Sequence, residues 1–210
     1  MSTMPAPEED QGYTYGDYLT WPDEERWELI DGAAYCMSPA PAPRHQEELV
    51  ELVRQFANHL RGKPCRVYVA PFDVRLPDAD EPDETVRTVV QPDLVVLCDA
   101  SKLDERGCRG APDLVMEILS PSTSARDQRQ KLALYERHGV REYWIVDSAD
   151  RLVRIYRLGD DRHYGRDSVY TAGSSIAVRI LPDLVIDTGA VFGEAPSRDT
   201  SGHRPPPSSR

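Results

Sequence analysis

Pro92-Asp93-Leu94-Val95-Val96-Leu97-Cys98 and Pro112-Asp113-Leu114-Val115-Met116-Glu117-Ile118-Leu119-Ser120 carry one pattern twice. Each stretch opens on proline and continues through branched aliphatic residues, as short strands buried in a core do. If the two pair antiparallel across residues 99–111, with 98 opposite 112, Asp93 stands opposite Glu117; a bulge in that loop is the alternative. Directly opposed Cβ atoms lie about 4.5–5.5 Å apart. A carboxylate inside an apolar strand is costly without a partner or a cation. Two of them at this separation either share a hard divalent ion or force one to hold a proton.

The dipeptide Pro-Asp alone says little, because it begins at positions 22, 77, 82, 92, 112 and 182. Geometry separates the copies. Asp113 shares a strand with Glu117 and would lie about 13 Å from it, at about 3.3 Å per residue, too far for one metal. Asp183 has no acid embedded in a neighbouring apolar run, which leaves Asp93 as the candidate.

Working outward, WELI (27–30) and AAYC (33–36) flank Asp31-Gly32, a strong signal for a two-residue hairpin. Glu28 would then sit on a rigid ribbon. In RHQEELVELVRQFANHLRG (44–62), Leu49, Leu52, Val53, Phe56 and Leu60 recur at helical spacing, and Gly62 supplies a stop. His45 lies one turn before Leu49 on that stripe, so it faces the body of the protein. Residues 65–70 and 72–76 read as extended and 77–88 as a loop. A helix follows within 120–140, with Ser/Thr cap candidates before it, Leu132 and Tyr135 inward and Gly139 at its end. Residues 142–147 and 151–158 are further strands, and a short antiparallel part closes the chain. Hairpin, helix, strands, helix, strands make an α/β or α+β domain with a mixed central sheet flanked by helices.

The chain has 210 residues, with 25 Lys and Arg against 36 Asp and Glu, a net charge of −11. A surface that grips nucleic acid everywhere, or an anionic membrane, is excluded by that balance. One domain over 13–194 is expected, between disordered tails at 1–12 and 195–210. No stretch has the length of a membrane span or the pattern of a secretory leader, so a cytoplasmic location is expected. The cysteines at 36, 65, 98 and 108 form no Cys-x-x-Cys pair, and reduced, mostly buried thiols are expected.

Lys131 is one of three lysines, the others being Lys63 and Lys102, and stands among Arg126, Arg129 and Arg137. It offers a compact charge that can orient a water or meet a phosphate oxygen. Alternatively it pairs with Asp127 at i, i+4 on a solvated face.

Taken in order, WELIDGAAYCMSPAP (27–41), Arg44-His45-Gln46, QPDLVV (91–96), GAPDLVMEILSPST (110–123), Lys131-Leu132 with Tyr135, and GVREYWIVD (139–147) resemble the Uma family of restriction endonucleases. That family is a branch of the PD-(D/E)XK nuclease superfamily. The resemblance runs from about residue 13 to 190 and implies a restriction-endonuclease-like core with a metal-dependent site. It assigns Asp93 as the first acid, Glu117 as the second, and Glu28 as a further acid from the hairpin. The sequence departs from the superfamily pattern where a lysine is expected two residues after Glu117, because Leu119 stands there. Lys131 on the following helix takes that role if its side chain returns to the same cleft. The resemblance further implies phosphodiester hydrolysis of DNA, with Mg²⁺ or Mn²⁺ held by Asp93, Glu117, the Ile118 carbonyl and Glu28. His45, Arg126 and Arg129 would touch substrate. A homodimer is permitted, and a non-catalytic binding protein on the same fold is the alternative.

Overall fold

A computed structural model describes residues 12–22, 25–37, 42–120 and 126–193. The tails expected at 1–12 and 195–210 lie outside these residues apart from Gly12, as do the cap candidates within 121–125. After a one-turn helix α1 (Tyr15–Tyr18), strands β1 (Trp27–Ile30) and β2 (Ala33–Cys36) pair antiparallel with Ile30 opposite Ala33. Asp31 and Gly32 between them have φ of 52° and 81°, the two left-handed residues that a type I′ turn requires. Helix α2 (Pro43–Leu60) begins with proline at its first turn and no side-chain cap. Its apolar stripe buries Leu49, Leu52, Phe56 and Leu60, and His45 and Glu48 are buried beside them.

The chain continues through β3 (Arg66–Val69), β4 (Val74–Arg75), β5 (Val89–Val90), β6 (Leu94–Leu97), β7 (Leu103–Asp104), β8 (Gly107–Arg109) and β9 (Leu114–Ile118). A π-helical segment, Asp127–Lys131, runs into α3 (Leu132–His138), which ends at Gly139 with φ of 82°. Then come β10 (Glu142–Asp147), β11 (Leu152–Arg157), β12 (Ser168–Thr171), the pair β13 (Ser175–Ala177) and β14 (Val185–Asp187), and α4 (Thr188–Phe192).

Two six-stranded sheets result. The central one has the order β12-β11-β10-β9-β6-β3, antiparallel except where β9 and β10 run parallel. A parallel pair needs a crossover, and the segment carrying Lys131 with α3 supplies it. In β6 and β9, Leu94 pairs with Met116, Val95 with Val115 and Val96 with Leu114, so the 98-opposite-112 register is the one adopted. The second sheet, β2-β1-β5-β4-β8-β7, contains the expected hairpin and extends it by four strands. Its added strands are two or three residues long, too short to show a period in the sequence.

Side-chain alternation on β9 splits the core. Leu114, Met116 and Ile118 face α2, packing with Phe56, Leu52 and Trp144. Val115 faces the other way, toward Tyr135 and Leu134 of α3 and Ile30, Val74 and Val90 of the second sheet. Each fully buried aliphatic or aromatic side chain contributes about 1.5–3 kcal/mol. Glu117, two residues after Val115, shares that second side and so points into the space between the sheets and α3.

One expectation is corrected. Cys65 and Cys98 are joined by a disulfide rather than left as thiols. The β3–β6 register, Arg66 opposite Leu97, puts the next residues outward, 65 and 98, face to face across the strand ends. Cys108 is buried and free, and Cys36 is free but exposed. Among the described residues no helix is long and apolar enough to cross a membrane.

Candidate active site

Three elements deliver side chains to the space behind β9. The hairpin strand β1 brings Glu28, β9 brings Glu117, and the π-helical segment brings Asp127 and Lys131. All four are buried, none more than 4% exposed. Lys131 Nζ donates to Glu28 Oε1 at 2.9 Å and to Glu117 Oε1 at 2.8 Å, and it lies 3.6 Å from Asp127 Oδ1. The Tyr135 hydroxyl donates to the same Glu117 oxygen at 3.0 Å, and the Gln91 backbone amide donates to Glu28 Oε1 at 2.9 Å. Tyr143 fixes the π-helical segment by donating to the Asp127 carbonyl at 2.9 Å. The solvated Asp127–Lys131 pair weighed from spacing is thus a buried one, and Lys131 does return to Glu117.

Burial alone would lower the lysine, but Glu117, Glu28 and Asp127 more than offset it, so Lys131 is held above its ordinary value and stays charged. For Glu117, burial pushes the carboxyl up and Lys131 pulls it down. Asp127, Asp93 and Glu28 push it up again, and the net direction is well above the usual carboxylate range. Local positive charge falls short of local negative charge. Tyr135 and Tyr143 are both raised, by burial first and then by Glu117, so both remain hydrogen-bond donors.

Asp93 precedes β6, at the position opposite Glu117, and is the half-buried member of the set. Its Oδ2 accepts the Ile118 amide N–H at 2.8 Å and lies 3.3 Å from His45 Nε2. Burial lowers the imidazole, yet the hydrogen bond and charge of Asp93, then Glu48 and the Ile118 carbonyl, leave it raised overall. His45 Nδ1 is buried with no hydrogen-bond partner among the described residues. Glu48 is held by Arg44 Nε at 3.1 Å and by the Ser148 hydroxyl.

Among the described residues no three His, Cys, Asp or Glu side chains converge as a ready metal cage. Of the residues present, the carboxylates of Asp93 and Glu117 and the Ile118 carbonyl have the oxygen chemistry that would suit a hard cation. The carboxylate excess around Lys131 fits such an ion. Glu28, like Glu117, uses one oxygen, Oε1, to accept two hydrogen bonds, from Lys131 and the Gln91 amide. Of the arginines, Arg126 stacks 4.1 Å over the Tyr35 ring, and Arg129 is exposed. Arg137 is paired with Asp31 at 2.6 Å and Arg141 with Asp113 at 3.2 Å. Of the four arginines near Lys131 in sequence, Arg126 and Arg129 are the two without a carboxylate partner among the described residues. Sequence reasoning missed the Tyr135 hydroxyl and the Gln91 backbone amide as members of the site, and their only signal was proximity in sequence to Lys131 and Asp93.

Residues 15–189 match the family model Uma2, described as "Putative restriction endonuclease". The chain is 29% identical over 148 residues to an uncharacterized protein of Synechocystis sp. (strain ATCC 27184 / PCC 6803 / Kazusa), covering 69% of this chain and 74% of that one. Its structure resembles the crystal structure of a "putative nuclease belonging to DUF820" from Anabaena variabilis ATCC 29413, with a TM-score of 0.67 and 20% identity. That match covers 85% of this chain and 97% of the other. At this identity the likeness is one of fold.

Proposed function

Because the chain belongs to the Uma2 family, described as "Putative restriction endonuclease", we propose that it is a Mg²⁺- or Mn²⁺-dependent endonuclease hydrolysing phosphodiester bonds of DNA. The observation that carries this reading is Lys131, buried and within 2.8 Å of Glu117, on the strand whose register sets Glu117 opposite Asp93.

A divalent cation bound by Asp93, Glu117 and the Ile118 carbonyl would polarise the phosphate and lower the pKa of a bound water. Lys131 stays charged and, anchored by Glu28 and Asp127, presents a fixed positive charge where negative charge builds on the reacting phosphate. The Tyr135 hydroxyl fixes the orientation of the Glu117 carboxylate, and the Ile118 amide does the same for Asp93. His45 steadies Asp93 through Nε2. Arg126 and Arg129 meet the strand's backbone as it approaches. With a body this acidic, loose binding everywhere is disfavoured, and encounter is confined to the cleft.

A second reading, a nuclease fold that binds without cutting, is favoured by the buried ion pairs that already tie Lys131 to Glu117 and Glu28 within the fold. Incubating the protein with single-stranded, duplex and nicked DNA and with RNA, plus Mg²⁺ or Mn²⁺, separates the two. Asp93→Ala, Glu117→Ala and Lys131→Ala serve as comparisons. Metal-dependent cleavage lost in all three supports the enzyme. No cleavage, or cleavage that survives all three, overturns it, and a Mn²⁺-dependent rise in melting temperature without cleavage favours the binding reading.

A further inference from the structure

A cavity of about 510 Å³ lies beside the segment that leads into Asp93, lined among others by Tyr18, Trp21, Arg26, Trp27, Asp73 and Gln91. Small-molecule pockets span about 300–1,000 Å³, so the space suits a planar heterocycle with its sugar. The aromatic wall is interlocked. Trp21 lies 5.5 Å from both Tyr18 and Trp27, tilted against one and edge-on to the other.

The polar part of the lining is held in a fixed arrangement. Gln91 Oε1 accepts from Arg26 Nε at 3.0 Å and from Arg26 Nη2 at 2.9 Å, which sets the amide's orientation. Its Nε2 donates to Asp73 Oδ1 at 2.8 Å, and the Tyr18 hydroxyl donates to the same oxygen at 3.1 Å. No described residue bonds Asp73 Oδ2. Trp21 is 7% exposed, and its Nε1 is buried without a hydrogen-bond partner among the described residues. The lining thus offers aromatic faces and one carboxylate oxygen as an acceptor.

The pocket is joined to the candidate active site through backbone. The Gln91 amide N–H bonds Glu28, and Ala70, just before the lining residue Pro71, donates its amide to the Asp93 carbonyl at 3.3 Å. A ligand in the pocket and a phosphate at Asp93 are therefore neighbours. Asp73 and Glu25 in the lining repel phosphate itself. A neutral ring with apolar faces and a ring N–H for Asp73 matches the aromatic wall and the open carboxylate oxygen.

We propose that this pocket receives one unstacked nucleobase of the bound strand, preferentially a base whose ring N–H flanks a carbonyl: thymine, uracil or guanine. The proposal rests on the nuclease reading and deepens it, giving the site a means of selecting where a strand is seated. Bases that leave the stack are commonly held against aromatic side chains and read along their pairing edge.

The test is binding without cleavage, by fluorescence anisotropy of labelled oligothymidylate with the full chain in EDTA at low salt. An abasic phosphodiester of the same length is the comparison. The abasic strand, and Trp27→Ala with oligothymidylate, are expected to bind about ten-fold more weakly or worse, the size of one lost base–aromatic stack. Trp27→Phe restores binding, which excludes a general folding defect. Oligothymidylate outcompetes oligodeoxyadenylate, and Asp73→Asn removes that preference. Equal binding of the abasic strand, or no effect of Trp27→Ala, overturns the proposal even if metal-dependent cleavage is found. Base-dependent binding in a protein that cleaves nothing upholds the pocket and removes the nuclease reading.

Discussion

Lys131 Nζ lies 2.8 Å from Glu117 Oε1, although fourteen residues separate them in sequence. The superfamily pattern places that lysine two residues after the acid, on the same strand. Here Leu119 occupies that place, and the charge arrives from the crossover connecting β9 to β10. The π-helical turn at Asp127–Lys131 makes this possible by carrying both residues inward, where Asp127, Glu28 and Glu117 surround the ammonium group.

Lys131→Met leaves these three carboxylates buried without their cation. Breaking a buried ion pair from one side costs about 3–5 kcal/mol, and a loss of that order is expected in denaturant unfolding. Without the Lys131 charge that pulls it down, the Glu117 carboxyl, already raised by burial, moves further above the usual carboxylate range, so its protonated form suits the fold. Such a contribution is present at low pH and lost as pH rises through the folded value, so the deficit should shrink as pH is lowered from about 7. Glu117→Gln should cost less than Lys131→Met, because burial already pushes the Glu117 carboxyl toward neutrality. A deficit independent of pH would argue against the buried cluster.

Much of this frame is legible in the sequence. The apolar runs at 92–98 and 112–120 define β6 and β9, and their register sets Asp93 opposite Glu117, although the segment between them, expected as a loop, contributes β7 and β8 to the second sheet. Asp31-Gly32 defines the hairpin and the 3.6 period defines α2. The second sheet is not legible, since Val74–Arg75 and Val89–Val90 are two-residue strands with no period to detect. Nor is the burial of Asp127, because an i, i+4 pair looks alike on a wet face and a dry one. The Tyr18–Asp73–Gln91 network joins three segments far apart in the chain, and only the folded backbone brings them together.

Gly32→Ala tests whether the hairpin holds Glu28 in place. Its φ of 81° is left-handed, and an added Cβ would come within 2.7 Å of Arg87 Nη2. A loss of about 1–3 kcal/mol is expected from backbone strain alone. Asp31→Gly is the control. It relaxes the other left-handed residue and removes only the exposed pair with Arg137, worth at most about 1 kcal/mol. If both variants cost the same in chemical denaturation, the turn is not what constrains the ribbon.

Thiol labelling tests the cysteine arrangement. Without reductant at pH 8, Cys36 alone should react. Burial pushes the Cys108 thiol up to about 11 and shields it from reagent. Its neutral form suits the fold, so its contribution is present below the ordinary thiol value and lost as pH rises through about 11. Mild reduction should add Cys65 and Cys98, and unfolding should add Cys108. Three reactive thiols before reduction would contradict the disulfide.

Leu119→Lys asks whether the site needs a lysine at one position or a positive charge at one point in space. On a strand, 117 and 119 project to the same face, so a lysine at 119 would start from the side that Glu117 occupies. Under the nuclease reading, Lys131→Met should lower the metal-dependent cleavage rate by about 10²–10³-fold, the loss seen when one preorganised stabilising group is removed. Adding Leu119→Lys to that variant should recover at least about ten-fold of the rate, without restoring the stability that Lys131 supplies to Glu28 and Asp127. Recovery of rate without recovery of stability separates the charge's two roles. If rate and stability instead fall and return together, Lys131 acts by holding the fold, and its place in the chemistry is lost.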